Sequence, residues 1–464
     1  MKAKQRLAIL CGKMAGMASR LAGGGGTTLP GWVAQAIHPS LVSYLVSRIP
    51  QGVTLVTGTN GKTTTSRLLA TILSDVHFIP IYNRAGSNLM RGIATALVSQ
   101  AHLDGHFRQP NQIVGLFEVD EATLPRAIRE TQPKVVVATN LFRDQLDRYG
   151  ELDSLAQSWS QAFKELPQGA TLVLNGDDPL LAHLGHRISI PIIYYGLETE
   201  GMGTLEHAAD SIRCPTCGND FQYSAIFYGH LGHYCCRVCG TARPLPQVRA
   251  FHLCRHGIQG YTMELGLPGG GMVVELGLPG LYNVYNAAAA AAAAAALGIP
   301  HHHIQNGLKK ATAAFGRLET LSVQGRRICL ILAKNPVGFN EALRIVDSDK
   351  EARHLLLVLN DRIADGRDVS WIWDVDFETL LPHGASIVVS GLRAEDMAIR
   401  LKYAVPEIGL PRVKKNLREA LYSTLEATSL GDTIYIIPTY TAMLEVRAAL
   451  VNMGYVSHPL MEEG

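Results

Sequence analysis

Net charge is almost missing from this 464-residue chain, in which 42 Lys and Arg face 40 Asp and Glu and leave +2 at neutral pH. That balance excludes a nucleic-acid surface built by bulk electrostatics, so any polyanion must be held locally. Cysteine is sparse and uneven, with five of the eight between Cys214 and Cys239. A disulfide framework would spread them, whereas a metal site concentrates them. Long apolar runs are also lacking. Only the ten alanines from Ala287 to Ala296 approach a membrane span, and alanine is a strong helix former of weak hydrophobicity, which predicts a buried helix in a soluble protein. With 47% hydrophobic and 18% charged residues the chain is globular, and its length suggests about three domains.

The amino terminus starts basic and turns apolar, as a secretory signal does. Lys13 and Arg20 interrupt the run, however, and no small-residue cleavage site follows. Leu7, Leu10, Met14, Met17 and Leu21 recur at helical spacing and predict an amphipathic helix instead. A cytoplasmic protein with no transmembrane segment is expected.

From residue 50 onward, β-branched runs alternate with helical patterns. Residues 53–57, 113–119, 134–139 and 171–174 read as buried parallel strands, and a second series follows at 328–333, 354–359, 386–390 and 433–439. The expected fold is α/β: a helical leader over 1–49, an ATP-binding domain over 50–315 interrupted by an insertion at about 212–242, and a Rossmann-like domain over 316–464. His301, His302 and His303 after Pro300 read as a solvated stretch. Trp371 and Trp373, at period two, read as packing against a core or a partner.

The first run leads straight into Gly58-Thr59-Asn60-Gly61-Lys62-Thr63-Thr64 and then a helical pattern. Glycines let backbone N–H groups curl round phosphate oxygens at a helix N-terminus, Lys62 supplies a point charge, and Thr63 offers an oxygen to Mg²⁺. A general phosphate loop carries one more glycine, at the position of Val56. Glu118, at the end of a strand, is either a Mg²⁺-binding carboxylate or a solvated strand-end charge. Cys214, Cys217, Cys236 and Cys239 form two C-x₂-C pairs separated by eighteen residues, the spacing of a structural zinc ribbon. Cys235 is an adjacent competitor. Residues 218–234 contain no Lys or Arg, which argues against a nucleic-acid face.

The string GTNGKTTT resembles the phosphate loop of the Mur ligase family, which includes the folylpolyglutamate synthases, and four further segments resemble that family in order. Glu118 stands where those ligases carry a Mg²⁺-binding glutamate. Thr139-Asn140 with Asp144, Asp147 and Gly150 resembles a second segment, in which Gln145 replaces a metal-binding histidine; the family's carbamylated lysine falls near Trp159. Asn283 and Asn286 resemble the adenine-binding asparagines, with Tyr282 in place of a histidine. Gly316-Arg317-Leu318-Glu319 resembles the hinge whose arginine, here Arg317, reaches the nucleotide, and Lys334-Asn335-Pro336 resembles a segment with histidine in place of lysine.

With its four-cysteine insertion and the AKNPVGFN and DGRD segments, the chain resembles the MurT branch, the ligase subunits of lipid II isoglutaminyl synthases. That resemblance implies ATP, Mg²⁺ and Zn²⁺ as cofactors. The implied reaction is ATP-dependent amidation of the α-carboxylate of D-glutamate in the lipid II stem peptide, through an acyl-phosphate, at the cytoplasmic membrane face. The implied catalytic residues are Lys62, Glu118 and Asp368, with Gly58 through Thr64, Asn283, Asn286 and Arg317 binding nucleotide. No cysteine has the strand-elbow-helix context of a glutaminase nucleophile. A GatD-type glutaminase partner is therefore implied, in a heterodimer where Asp368 orients the partner's histidine; Asp361 and Asp365 are the other candidates. The alternative is a monomeric Mur-type amino-acid ligase or folylpolyglutamate synthase.

Overall fold

The computed structural model describes the chain apart from residues 1, 23–25, 84–86, 143–150, 187, 200–208, 312–316, 350–353, 382–383, 409–410 and 457–464. The first sheet uses β1 (Val53–Thr57), β2 (Ile79–Tyr82), β3 (Ile113–Glu118), β4 (Val135–Ala138), β5 (Thr171–Asn175) and β6 (Ile192–Glu198). A separate hairpin, β7 (Gln222–Tyr228) and β8 (Leu231–Cys235), interrupts it before β9 (Val248–Arg255), β10 (Tyr261–Leu267) and β11 (Gly270–Leu276) complete it. The order is β11-β10-β9-β6-β5-β4-β1-β3-β2, parallel from β9 to β2 and antiparallel at the β9-β10-β11 edge. Strands β1, β3, β4 and β5 are the expected ones. Nearly every side chain in them is buried, because helices cover both faces. Strand β10, one in from the β11 edge, instead alternates buried and half-buried residues, as a strand covered on one face does.

The second sheet contains β12 (Arg317–Val323), β13 (Arg326–Ile331), β14 (His354–Val358), β15 (Ser386–Ser390), β16 (Arg412–Val413) and β17 (Thr433–Pro438), ordered β12-β13-β17-β14-β15-β16. All but β12 pair in parallel, so the expected second α/β series is present. The alanine helix, Leu281–Ala296, lies against β4, β5, β6 and β9 with Ala287 through Ala294 fully buried. Short methyl side chains let the helix axis come close to the sheet.

Among the described residues three helices precede β1, the first spanning Lys2–Leu21. Ala8, Ile9, Ala34, Leu41 and Leu45 share a core with Val53, Leu55 and Phe117, so the leader packs into the first sheet's own core. Its orientation is unexpected. Ala8, Ile9, Gly12 and Gly16 face inward, while the larger apolar residues at helical spacing face out. The glycines decide this: a Cβ on Gly12 would lie 3.0 Å from Pro30 O, so only the small-residue face can approach the second helix, Leu29–Ile37.

Behind the phosphate loop, helix Lys62–Asp75 packs on helix His301–Lys310, where a Cβ on Gly307 would come within 2.5 Å of Ile72 Cα. The three histidines open that helix. His303 is not simply solvated, because its Nδ1 lies 2.7 Å from Asp75 Oδ2, while Lys310 donates to Asp75 Oδ1 at 2.6 Å. Hydrogen bonds from Lys310 and His303 pull the Asp75 carboxyl down to about 2. A depressed carboxylate contributes stability that is present above its unfolded value and lost as pH falls through its folded one. Thermal unfolding of the native chain should therefore weaken between about pH 4 and about pH 2, and Asp75→Asn should flatten that limb while lowering the melting temperature at neutral pH. An unchanged acid limb in calorimetry would remove Asp75 from the linkage.

Candidate functional site

Strands β1, β3 and β4 end side by side where the chain reverses its direction of winding, β3 lying on one side of β1 and β4 on the other. Open α/β sheets hold ligands at such a switch point. The loop after β1 is held from β4: Asn60 N–H donates to Asn140 Oδ1 at 2.8 Å, Asn140 Nδ2 returns a bond to Asn60 O at 3.1 Å, and Thr139 Oγ1 donates to the same carbonyl at 2.7 Å. Thr59 exchanges hydrogen bonds with the backbone of Phe142. Two positions require glycine. Gly58 has φ 125° and a Cβ there would meet Thr139 Oγ1 at 2.2 Å; Gly61 has φ 88° and a Cβ would meet Asn286 Oδ1 at 2.1 Å.

Helix Lys62–Asp75 starts immediately after Gly61, so its first N–H groups and its dipole face the loop's concavity, a ready anion site. Lys62 is buried, donates to Gly58 O and Thr59 O, and pairs with Glu121 Oε1 at 2.8 Å. Thr63 Oγ1 lies 2.9 and 3.0 Å from the two oxygens of Glu118, and Asn88 Nδ2 donates to Glu118 Oε1 at 2.7 Å. Asn83 clamps the Glu118 backbone from both sides. Glu118 is thus a buried, aimed carboxylate and not a solvated strand end. Thr63 and Glu118 present the hard oxygen donors that suit Mg²⁺. Thr64 is buried beside them.

Two acidic neighbours add to this set: Glu121, and Asp120, whose carboxyl burial pushes above the ordinary range against the pull of Lys62. Three acidic residues in the string EVDE directly after a strand were the signal for them. Trp159 is fully buried and donates its indole N–H to Glu121 O at 2.9 Å, so that position supports the carboxylate row by packing. Asp144, Gln145, Asp147 and Gly150 lie outside the described residues.

The second domain forms the opposite wall. A cleft between the domains is lined by Asn60, Gly61, Asn286, Tyr282, Lys334 and Val337. Asn335 Nδ2 bonds Asn60 Oδ1 at 3.2 Å across it, while Asn335 Oδ1 caps helix Pro336–Asp347 by accepting from Gly338 N–H. Asn286 reaches the cleft, but Asn283 is tied behind it, with Nδ2 on Pro279 O and Oδ1 accepting from Asn286. Of Arg317 only the backbone is described, at the start of β12.

The cysteine insertion consists of two matching turns. Cys214 O accepts from Gly218 N–H and Cys214 N–H donates to Asn219 O; Cys236 O accepts from Gly240 N–H and Cys236 N–H donates to Thr241 O. Gly218 and Gly240 share a left-handed φ, 74° and 77°. The turns bring all four sulfurs within 4.8 Å of one another, with 3.5 Å between Cys214 and Cys239 and 3.4 Å between Cys217 and Cys236. A tetrahedron with metal–sulfur bonds of about 2.3 Å has edges of about 3.8 Å, so the cluster fits zinc. Cys235 is outside it. The cluster packs on Phe221, Tyr234 and Ala182, away from the phosphate loop.

The aspartates of the second domain have separate surroundings. Asp365 is buried and holds Thr441 at the start of helix Tyr440–Asn452. Asp361 pairs with Arg393 at 3.2 Å. Asp368 is exposed, and its Oδ1 accepts from the Ser370 hydroxyl and N–H, which together hold its carboxyl below the usual range. Beside it, Trp371 is buried against Phe339 whereas Trp373 is half exposed, because Ser370–Asp374 is a 3₁₀ turn and not a strand.

Gly61→Ala should abolish nucleotide binding, since neither the left-handed backbone nor Asn286 leaves room; calorimetric titration with an ATP analogue checks this. Metal analysis should find about one zinc per chain. Cys239→Ser should lower zinc content and melting temperature together, and Cys235→Ser neither.

Comparison with known proteins agrees with this architecture. Residues 332–443 match the MurT ligase C-terminal family and residues 56–232 the Mur ligase middle domain. The chain is 35% identical over 462 residues to the Streptococcus pneumoniae (strain ATCC BAA-255 / R6) protein named "Lipid II isoglutaminyl synthase (glutamine-hydrolyzing) subunit MurT", covering 98% of this chain and 99% of that one. To the protein of the same name from Staphylococcus aureus (strain COL) it is 33% identical over 444 residues, covering 95% and 96%. Its fold is similar to that of crystalline MurF from Acinetobacter baumannii, with a TM-score of 0.66 at 20% identity over 90% of this chain and 81% of that chain. On this near-full-length similarity the chain belongs to the MurT family of Mur-type, ATP-dependent ligases.

Proposed function

We propose that this chain uses ATP to amidate the α-carboxylate of D-glutamate in the lipid II stem peptide, giving D-isoglutamine, with ammonia delivered by a GatD-type glutaminase bound to it as a heterodimer. The observation that carries the reading is the convergence of Lys62, Thr63 and Glu118 at one edge of a cleft closed by the Asn60–Asn335 bond. The relatives' names supply the acceptor and the glutamine dependence. The ATP-binding unit is taken as 50–315 and the carboxy-terminal unit as 316–464. Eight unpaired cysteines fit a reducing compartment, consistent with the cytoplasm.

A carboxylate is a poor electrophile, so a carboxylate oxygen first attacks the γ-phosphorus of ATP and ADP leaves; ammonia then attacks the acyl carbon and phosphate departs. Loop residues Gly58 to Thr64 hold the phosphates through backbone N–H groups. Lys62 moves its charge onto the transferring phosphoryl group, a shift its contacts with Glu121 and two loop carbonyls make short. Thr63 and Glu118 would hold Mg²⁺, which would supply neutralisation of the phosphate charge. Asn286 borders the adenine side with Asn283 positioning it, and the family resemblance assigns Arg317 to the nucleotide. Cys214, Cys217, Cys236 and Cys239 would hold a structural zinc, because four thiolates leave no open position.

Ammonia needs a source outside this chain. Four cysteines form the knuckles, Cys329 is buried within β13, and Cys11, Cys235 and Cys254 lie on a helix or strands. Asp368 is the carboxylate offered to the partner's histidine, since Asp365 is committed to Thr441 and Asp361 to Arg393. Trp373 and Ile399, which line the same depression as Asp368, are exposed apolar side chains, the composition of a protein interface.

Lys62→Ala should abolish amidation from either nitrogen source. Asp368→Asn should suppress glutamine-dependent turnover roughly 10³–10⁴-fold while sparing amidation with free ammonia at high pH, because an amide cannot stabilise an imidazolium. Assaying both on one co-purified complex checks the assignment. Loss of both activities in Asp368→Asn would move that residue out of the partner's site, and no partner-dependent activity at all would favour a monomeric ligase.

A further inference from the structure

The first helix buries its small side chains and exposes its large ones. Leu7, Leu10, Met14, Met17 and Leu21 are 51%, 42%, 60%, 59% and 89% exposed. At 100° per residue they fall within one stripe less than a quarter-turn wide. Arg6 and Arg20 run along one flank of that stripe and Lys4 along the other, while the half-buried Lys13 donates to Ser99 O at 3.3 Å. The packed second helix adds Leu29 and Trp32, 41% and 57% exposed. A solvent-facing helix surface of this kind costs free energy unless something covers it.

Charge identifies the cover. The chain as a whole is nearly neutral, yet its first acidic residue is Asp75; residues 1–50 carry six Lys and Arg and no Asp or Glu. An apolar stripe flanked by cations, on a helix not apolar enough to cross a membrane, is the pattern of a helix lying in the interface of an anionic bilayer.

The seat is connected to the site. Gly31, on the second helix, packs so closely on helix Met90–Gln100 that a Cβ would reach 2.0 Å from Arg91 O, and its N–H donates to Thr95 Oγ1. Ser87 Oγ donates to Thr27 O at 3.1 Å, and the next residue, Asn88, donates to Glu118 at 2.7 Å. The leader therefore touches the loop that orients the Glu118 carboxylate. We propose that the exposed face of helix Lys2–Leu21 is a membrane-docking surface for anionic lipid headgroups, holding the ligase on the bilayer.

This inference concerns binding, not turnover, so it is tested apart from the proposed reaction. The full chain, alone and with its co-purified glutaminase, would be sedimented with vesicles of phosphatidylcholine or of phosphatidylcholine containing phosphatidylglycerol. Binding to the anionic vesicles alone is expected, with Lys4→Ala and Arg6→Ala each weakening it about fivefold. Leu10→Glu combined with Met14→Glu should remove it; both side chains are exposed, and an unchanged melting temperature and ATP binding would show that the fold survives. Absence of binding by the native chain, or equal binding to neutral vesicles, would overturn the proposal. So would glutamate variants that release the glutaminase but still sediment with vesicles, which would make the stripe a subunit interface.

Discussion

The fully buried carboxylate of Asp177 is the point on which the ligase half is assembled. It lies just beyond β5 and receives the Arg243 guanidinium at Oδ1, the Tyr285 hydroxyl at 2.6 Å and the Leu197 N–H at 2.9 Å, while its own carbonyl accepts from Gly232 of the cysteine hairpin. Arg243 leaves the second cysteine turn and also bonds Glu198 at 2.8 Å and Leu197 O at 2.9 Å. Burial pushes the Asp177 carboxyl up, and such a charge is tolerated only where its lone pairs are this fully used. The network fastens the insertion to the sheet. Through Tyr285 it also fixes the start of the alanine helix, and Asn286 is the next residue.

A chain of constraints then runs from the insertion to the nucleotide cleft. Asn286 lies against Gly61, Thr65 Oγ1 donates to it at 3.3 Å, and Asn60 meets Asn335 of the second domain. The cysteine cluster, set away from the phosphate loop, thereby acts on it only through rigid packing. Tyr228, at the end of the hairpin's first strand, stands 5.5 Å from Tyr285 ring to ring and borders the same cleft. The insertion is thus a wall of the site as well as a brace.

Two exposed surfaces differ in composition. The leader exposes an apolar, cationic stripe, and the second domain exposes Trp373 and Tyr403, with rings 5.9 Å apart, near Asp368. Arg400 lies under Trp373 at 5.4 Å and is held from behind by Ile372 O and Val375 O, which keeps that ring ordered while exposed.

Much of this was legible in the linear chain because its carriers are local. A phosphate loop is one strand, eight residues and one helix, and a zinc knuckle is four residues and a glycine, so composition and spacing specify both. The strands of the two parallel cores were equally plain, since burial on both faces makes them continuous apolar runs. The edge strand β2 and the antiparallel strand β10, both only half covered, gave no such run. Contacts between residues far apart in sequence were not legible: Asn335 on Asn60, Asp177 under Tyr285, Asn283 behind Asn286. Nor was the facing of the leader, whose large apolar residues spell a buried stripe by periodicity. Periodicity determines that a helix has two faces; only the tertiary packing of Gly12 and Gly16 against Pro30 decides which of them meets the core.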